Sequence, residues 1–304
     1  MADPVDRSAV DMLERAGFRV DLRPGISAEE LESVIGGYDV LLVRGRTKVT
    51  AKVIERGVPV LKVVGRAGVG LDNVDLDAAA RHGVKVLNTP ESSTESVAEL
   101  VIGLMIAVAR KIAWCDRQVR SGKWPKSEAM GVELAGKTLG VVGYGRIGRR
   151  VAEIAHAMGM KVVAYDVIPI PEEVLAKAGA KLTSLEEVLK TADVITLHVP
   201  LTPETRHLID ASKLEMMKPK AIIINASRGE VIDEEALYNA LKNGRIAGAG
   251  LDVFEKEPPT GSKLLELDNV VLTPHIGAQT LEAQEAAATM LAKKVIEAFA
   301  STSS

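Results

Sequence analysis

Cysteine is almost missing from this sequence. Cys115 is the one example in 304 residues, so no internal disulfide can form and no cysteine-based metal cluster can be assembled. A reducing, cytoplasmic location follows as the expectation. An excess of either charge is also missing: 38 Lys and Arg stand against 41 Asp and Glu, a formal net charge of -3. That balance offers no global attraction for nucleic acid or for an anionic membrane surface. The expected partner is a small molecule, and if it is anionic, local positive charge must capture it.

Long apolar runs are lacking as well. The longest, residues 100–109, is bracketed by Glu99 and Arg110 and is much shorter than the ~20 residues of a membrane span, so it reads as a buried helix. No basic segment leading into an apolar run opens the chain, and no secretory signal is expected. Neither an HExxH pattern nor a GxSxG elbow occurs, so zinc-hydrolase and serine-nucleophile chemistry have no motif, and no metal site is expected.

What the sequence does hold is 47% hydrophobic and 26% charged residues, the balance of an ordinary globular protein. Its length exceeds what one hydrophobic core serves, which predicts two domains. Short β-branched runs alternate with helical patterns throughout, the pattern of an α/β protein with parallel sheets covered on both faces. A first series of strands is expected at 19–23, 39–44, 60–65 and 84–88. A second is expected at 138–143, 161–166, 193–199, 221–227, 247–253 and 270–275. The fold class predicted is α/β with two doubly wound parallel-sheet domains.

Met1 to Val5 is too short and polar for a strand, and a first strand could be missing. From Ser93 to Trp114 the chain reads as a helix with hardly any polar face beyond Glu99, which predicts cover all round. It could join the two domains or pack against its copy in a second subunit, and both roles are expected. A final helical pattern spans Leu281 to Ala298, and the tail Ser301 to Ser304 is expected to be disordered.

Gly143, Gly145 and Gly148 form G-x-G-x-x-G directly after one expected strand and at the opening of a helix. The first glycine permits the tight turn, the second lets backbone approach a pyrophosphate, and the third lets the helix pack on the strand. The helix N-terminus then presents oriented N–H groups to the anion. The next strand ends in Asp166, where a carboxylate can bond the adenosine ribose hydroxyls and repel a ribose phosphate. NAD in preference to NADP is therefore expected. Arg146 could support the pyrophosphate or face solvent. The similar GRAGVG at Gly65 to Gly70 lacks the full glycine spacing and the later acid, so it is not a second cofactor site.

In a parallel sheet every strand's carboxyl end lies on one edge, where ligands of open α/β sheets bind. Those ends carry Gly143, Asp166, His198 with Pro200, Ser227 with Arg228, Asp252, and His275 with Gly277. His275 can exchange the proton of a substrate hydroxyl, since imidazole titrates near neutrality. Glu257 could bond its other ring nitrogen, although such a loop carboxylate could equally be solvated. Arg228 could grip a substrate carboxylate at two points, or pair with Glu230. His198 could contact the cofactor or pack. His82 and His156 sit in helical patterns as packing or surface residues, and His207 lies in a loop.

The segments GYGRIG, HVPLTPETRHLI, INASRGEVIDEEAL, GLDVFEKEPP and LTPHIGAQT, in this order, resemble the D-isomer-specific 2-hydroxyacid dehydrogenase family. VRGRTKVT, GRAGVGLDNVD, NTPESST and GKTLGVVG extend the similarity over nearly the whole chain. The resemblance implies an Arg, Glu, His catalytic set on Arg228, Glu257 and His275. Cofactor contacts are expected at Gly143, Gly145, Arg146, Ile147, Gly148, Asp166, His198, Val199, Pro200, Thr205, Ala226, Ser227, Asp252 and Gly277.

It further implies a Rossmann-type NAD-binding domain at 93–277, with linking helix 93–114. A discontinuous, flavodoxin-like substrate domain at 1–92 and 278–304 completes the chain, with substrate in the cleft between the domains. Arg44 and Arg66, with backbone at Ala67 and Gly68, match positions that bind substrate anionic groups. The reaction implied is NAD-dependent oxidation of a phosphorylated hydroxy acid, 3-phospho-D-glycerate, by a homodimer. Reduction of glyoxylate or hydroxypyruvate is the alternative, and a non-enzymatic NAD(H)-sensing role like that of related co-repressors is another. Because the sequence ends after its last helix, no regulatory domain and no feedback inhibition through one are expected.

Overall fold

The computed structural model describes residues 1–300, and the expected tail disorder at 301–304 lies outside the described residues. The chain divides into two compact units, one of Met1–Thr94 with the segment from Ala278, the other of Glu95–Gly277.

The first unit holds a parallel sheet of three strands in the order β1-β2-β3, with β1 at Val40–Val43, β2 at Val63–Arg66 and β3 at Lys85–Asn88. Alternate side chains leave the two faces of a strand, and both faces are covered. Leu41, Val43 and Val64 pack with Ile35, Val53, Ile54 and Ala78. Leu42 and Val63 pack with Ala9, Leu13, Leu291 and Val295. The helices on the first face are α2 (Ala28–Val34), α3 (Ala51–Gly57) and α4 (Leu76–Arg81); those on the second are α1 (Arg7–Arg15) and the final helix α12 (Leu281–Ala300). Helices α1 to α4 start where a side chain answers an orphan N–H: Asp6, Ser27, Thr50 and Asp75 accept from Ser8, Glu30, Val53 and Ala78.

The strand expected at 19–23 is absent. Arg19, Asp21 and Arg23 alternate charges along it, and its backbone bonds to another segment run to the chain's start: the Met1 ammonium to the Asp21 carbonyl at 2.7 Å and Arg23 N–H to the Met1 carbonyl at 2.9 Å. Ala2 N–H in turn donates to Leu42 of β1 at 2.9 Å. Two residues are too few to carry a ladder.

The second unit is built on a seven-stranded parallel sheet, order β10-β9-β8-β7-β4-β5-β6. Its strands are β4 Thr138–Val142, β5 Lys161–Tyr165, β6 Ala180–Leu182, β7 Val194–Leu197, β8 Ile222–Asn225, β9 Gly248–Leu251 and β10 Val270–Leu272. Val142, Ile195, Leu197, Ile223 and Leu251 face α9 (Leu185–Thr191), α10 (Ala211–Met216) and α11 (Glu234–Lys242). Val141, Val162, Val194, Ile222 and Ile224 face α5 (Thr94–Ala109) and α7 (Arg146–Ala157). Apolar residues therefore run on without alternation in these strands, because both faces are buried. Truncating fully buried Ile195 or Ile223 to Ala would cost about 2–5 kcal/mol.

Two departures from expectation have local causes. The sequence suggests six strands; the seventh, β6, follows the short helix α8 (Glu172–Ala176) and reads Ala-Lys-Leu, without a β-branched residue to mark it. The helix expected from Ser93 to Trp114 ends at Ala109, and α6 (Ile112–Arg120) starts after Lys111 in a left-handed conformation, φ 54°. The segment at 131–132 crosses there: Val132 N–H takes the Ala109 carbonyl at 2.9 Å, and Gly131 lies so near that a Cβ would collide with it. Within this one chain Glu99 and Gly103 are exposed and Leu100, Ile106 and Ala107 half-buried.

Strands of the second sheet stop earlier than the apolar runs suggest. As all pairings are parallel, the residues just past β4, β5, β7, β8, β9 and β10 share one edge. The chain leaves β4 toward β5 and β6, then returns to β7 on the other side of β4. That is a topological switch point, where open α/β sheets bind ligands.

Candidate active site

At the switch point the glycine turn fits a dinucleotide. Gly143 has φ 93°, and a Cβ there would come within 2.7 Å of the His198 carbonyl, so the loops after β4 and β7 meet only because it is glycine. A Cβ on Gly148 would strike the Gly143 carbonyl, whereas one on Gly145 would meet nothing within 4 Å. The first and third glycines are thus required by packing. The second leaves open space where a pyrophosphate would approach. Gly145 caps α7 with no side-chain hydrogen bond, and the first turn carries no acid, so the positive end of the helix is left for an external anion. Arg146 is exposed and Ile147 half-buried. Arg149, which sequence reading passed over, ties the turn by donating Nε–H to the Tyr144 carbonyl at 2.8 Å.

Asp166 stands just past β5, its Oδ2 accepting the Tyr144 N–H at 2.6 Å and its Oδ1 the Ile168 N–H at 2.9 Å. Each oxygen keeps a further lone pair for a ribose hydroxyl. Past β7, His198 Nε2 lies 3.0 Å from Thr196 Oγ1. Desolvation holds its pKa down at about 3, so the ring stays neutral, with one N–H and one acceptor nitrogen. Val199 lies against Gly143, and Thr205 Oγ donates to the Pro200 carbonyl at 2.6 Å while accepting the Thr202 N–H at 2.7 Å.

Past β8 the chain turns through Ala226, Ser227 and Arg228. Ala226 packs on the helix α5 and α7 side of the core. Arg228 Nη1 donates to the Ser227 carbonyl at 2.7 Å. Gly229 then lies against the backbone of Phe254 and Glu255, where a Cβ would overlap Phe254 atoms. Glu230, the alternative partner considered for Arg228, lies 3.8 Å from Arg206.

Asp252, 1% exposed, governs the turn after β10. Its Oδ1 accepts from Thr273 Oγ at 2.7 Å and Ile276 N–H at 2.8 Å, and its Oδ2 accepts from Gly277 N–H at 2.8 Å. Its carbonyl takes the His275 N–H at 2.8 Å. These bonds hold His275 at φ 54°, half-exposed, with Nδ1 2.8 Å from Glu257 Oε2. The hydrogen bond to Glu257 raises the imidazole pKa against the opposing effect of burial, with the Glu257 and Asp252 charges adding to the rise. Burial pushes Glu257 up, but the His275 bond and charge, the Phe254 N–H and the Arg228 charge bring it below the usual carboxylate range. The contact anchors the imidazole through Nδ1, the nitrogen opposite Nε2.

In the first unit, Arg44 follows β1. Its N–H donates to Asp3 Oδ2 at 2.7 Å and its carbonyl accepts from Asn73 Nδ2 at 2.8 Å. Arg66 ends β2, its guanidinium beside Gly45 and Gly68. Ala67 N–H donates to the Val43 carbonyl at 2.9 Å and Gly68 N–H to Thr89 Oγ1 at 2.9 Å, so these two backbone donors are bonded within the protein. Sequence reading also missed Asp3, which besides Arg44 accepts from Thr47 N–H at 3.2 Å and Thr47 Oγ at 2.6 Å.

Residues 102–277 match the model of the D-isomer specific 2-hydroxyacid dehydrogenase NAD binding domain. A D-3-phosphoglycerate dehydrogenase of Methanocaldococcus jannaschii is 50% identical over 97% of this chain and 56% of its own length. A hydroxypyruvate reductase of Thermotoga maritima is 47% identical over 97% of this chain and 96% of its own. Among solved structures, a D-lactate dehydrogenase from Aquifex aeolicus complexed with NAD and lactic acid superposes with TM-score 0.85 at 34% identity, covering 98% of this chain and 94% of that one. The chain belongs to the D-isomer specific 2-hydroxyacid dehydrogenase family. It spans about half the length of the curated phosphoglycerate dehydrogenase relatives it matches, 56% of the Methanocaldococcus one. Among the described residues no helix is long and apolar enough to cross a membrane, and no group of acids, histidines and cysteine could hold a metal ion.

Proposed function

We propose that this chain oxidises 3-phospho-D-glycerate to 3-phosphohydroxypyruvate. The observation that carries the chemistry is the His275–Glu257 pair, 2.8 Å apart, on the same sheet edge as the glycine turn. NAD bound at that turn supplies the acceptor for the hydride that leaves the substrate's C2. Arg228 grips the substrate carboxylate, and His275 Nε2 takes the hydroxyl proton as the C–O bond becomes a carbonyl. Glu257 stabilises the imidazolium that results. In the reverse direction His275 returns the proton.

Support for the phosphorylated substrate comes from Arg44 and Arg66, two guanidinium groups suited to a phosphate, and from the 50% identical phosphoglycerate dehydrogenase. The preference for NAD over NADP rests on Asp166, whose carboxylate would repel a ribose phosphate. The test is initial rates over a panel of 3-phosphoglycerate, phosphohydroxypyruvate, hydroxypyruvate, glyoxylate and pyruvate, each with NAD(H) and NADP(H). Turnover of the phosphorylated pair well above the others is the expected outcome; none with either would overturn the reading. Hydroxypyruvate reduction is the second reading, favoured by the 47% identical Thermotoga reductase, and the same panel decides it.

We also infer a homodimer. Half-buried Ile106 on α5 and exposed Ile112 and Val119 on α6 line one groove, and exposed Trp124 and Met130 follow in the next loop. Light scattering coupled to size exclusion should give twice the chain mass, and the chain mass alone would remove this assignment.

A further inference from the structure

The strand β8 ends in an asparagine where its three preceding residues are isoleucines. Asn225 is 1% exposed, and burying an amide is costly unless its polar atoms are bonded. They are bonded, but to nothing in the sheet. Nδ2 donates to the Arg228 carbonyl at 2.8 Å, and Oδ1 accepts both the Ser227 N–H at 3.0 Å and the Ser227 Oγ–H at 2.8 Å. The strand register itself is kept by backbone, with Asp252 N–H on the Asn225 carbonyl at 2.9 Å. An apolar side chain would serve β8 equally well. The amide serves the turn that carries Arg228.

We propose that Asn225 is a positioning residue for Arg228, an amide clamp that fixes the guanidinium for the substrate carboxylate. The clamp grips the turn at both residues that set the guanidinium: Ser227, whose carbonyl receives Arg228 Nη1, and Arg228 itself. Beyond it, Gly229 rests on the backbone of Phe254 and Glu255, and Phe254 N–H donates to Glu257 Oε1 at 3.3 Å. The turn is thereby wedged between its own strand and the loop bearing Glu257. Asn225 touches no substrate in this scheme; it acts through Arg228, and the proposal rests on the reading of Arg228 as the carboxylate grip.

A double-mutant cycle tests it, using the full chain, NADH and hydroxypyruvate or its 3-phosphate, whichever turns over faster. Asn225→Ala should raise KM for the keto acid about ten- to hundredfold, since small misplacements of a substrate-orienting group cost that much. Its kcat should fall less, with NADH affinity and the pH limb set by His275 unchanged. In an Arg228→Ala background the same change should add nothing, because coupled residues are not additive. Equal losses in both backgrounds, or a parallel loss of NADH affinity, would show that Asn225 supports the fold or the cofactor instead. Should Asn225→Ala fail to fold, Asn225→Asp keeps the accepting oxygen and replaces the donor to the Arg228 carbonyl with a charged oxygen that repels it. A raised KM with intact NADH binding then supports the clamp, and wild-type kinetics overturn it. If Arg228→Ala alone leaves KM and kcat untouched, the role of Arg228 falls first and takes the clamp with it.

Discussion

The two units each carry a glycine-rich turn after a parallel strand, Gly65 to Gly70 in one and Gly143 to Gly148 in the other, yet they equip their sheet edges in opposite ways. After β4 the helix α7 begins at once, at Arg146, so the turn offers oriented backbone N–H groups and a helix dipole. After β2 no helix begins until Leu76. There the N–H groups of Ala67 and Gly68 close inward on Val43 and Thr89, and the cations at this edge are the side chains of half-buried Arg44 and Arg66. Backbone donors suit a ligand common to many relatives; side-chain cations are easily exchanged and suit selection of one substrate. The glycine pattern carries meaning only through the element that follows it.

The contrast breaks most sharply on the second sheet's edge. His275→Ala should cut kcat by about 10²–10⁴, the usual range for a general acid–base, while NADH affinity measured by fluorescence titration stays near wild type. A large loss of NADH affinity would make the histidine structural. Gly143→Ala, forced to φ 93° with its Cβ 2.7 Å from the His198 carbonyl, should weaken NADH binding by about tenfold or more, since strain of this kind costs 1–3 kcal/mol. Gly68→Ala, at φ 141° with its Cβ 2.9 Å from Arg66 Nη1, should leave NADH affinity alone and raise only the KM of a phosphorylated acid. If both glycine variants damaged NADH binding alike, the division of labour between the turns would be lost.

A smaller effect concerns pH. In the proposed mechanism keto-acid reduction needs His275 protonated, and its pKa is raised by the Glu257 bond. The rate should therefore hold through neutral pH and fall as pH rises through that elevated value. Glu257→Gln keeps the shape and removes the charge, so the falling limb should move to lower pH. For stability the sign is the same. A group whose pKa is raised on folding contributes fully below its unfolded value near 6.5, and that contribution is lost as pH rises through the folded one. An unmoved limb in Glu257→Gln would separate the carboxylate from the proton transfer.

What the sequence announced and what it concealed divide along physical lines. Strands β4, β7 and β8 were legible because both their faces are buried and Val, Ile and Leu dominate them without alternation, interrupted inside only by Gly140 and Thr196. The candidate site residues at their ends were legible because a parallel sheet lines up its carboxyl ends. β6 was not, since Ala-Lys-Leu carries no strand propensity and only pairing with β5 makes it one. The break between α5 and α6 is set by Gly131 and Val132 crossing Ala109, a contact no helical period reports. Asn225 and Asp3 share another reason for going unseen. A buried polar residue looks like any other in a one-dimensional string until the atoms it bonds are known.

Asp3 gives the smallest predicted effect and the finest test of the comparison. Its carboxylate is buried, which by itself raises its pKa, but bonds from Thr47 Oγ, Arg44 N–H and Thr47 N–H, with the Arg46 charge, bring it below the ordinary value. Stability from such a group is present above the unfolded pKa and is lost as pH falls through the folded one. Acid should therefore loosen the Arg44 turn before the second unit's edge is affected. Asp3→Asn keeps the size and one accepting oxygen while removing the charge. It should raise the KM of a phosphorylated acid severalfold and cost about 1–3 kcal/mol of unfolding free energy, the range for a disturbed buried hydrogen bond. NADH affinity and the His275 pH limb should not move. Since Asp3 anchors a turn whose cation is a side chain, and Asn225 clamps another, a change in NADH binding from Asp3→Asn would show that the two edges are not equipped independently.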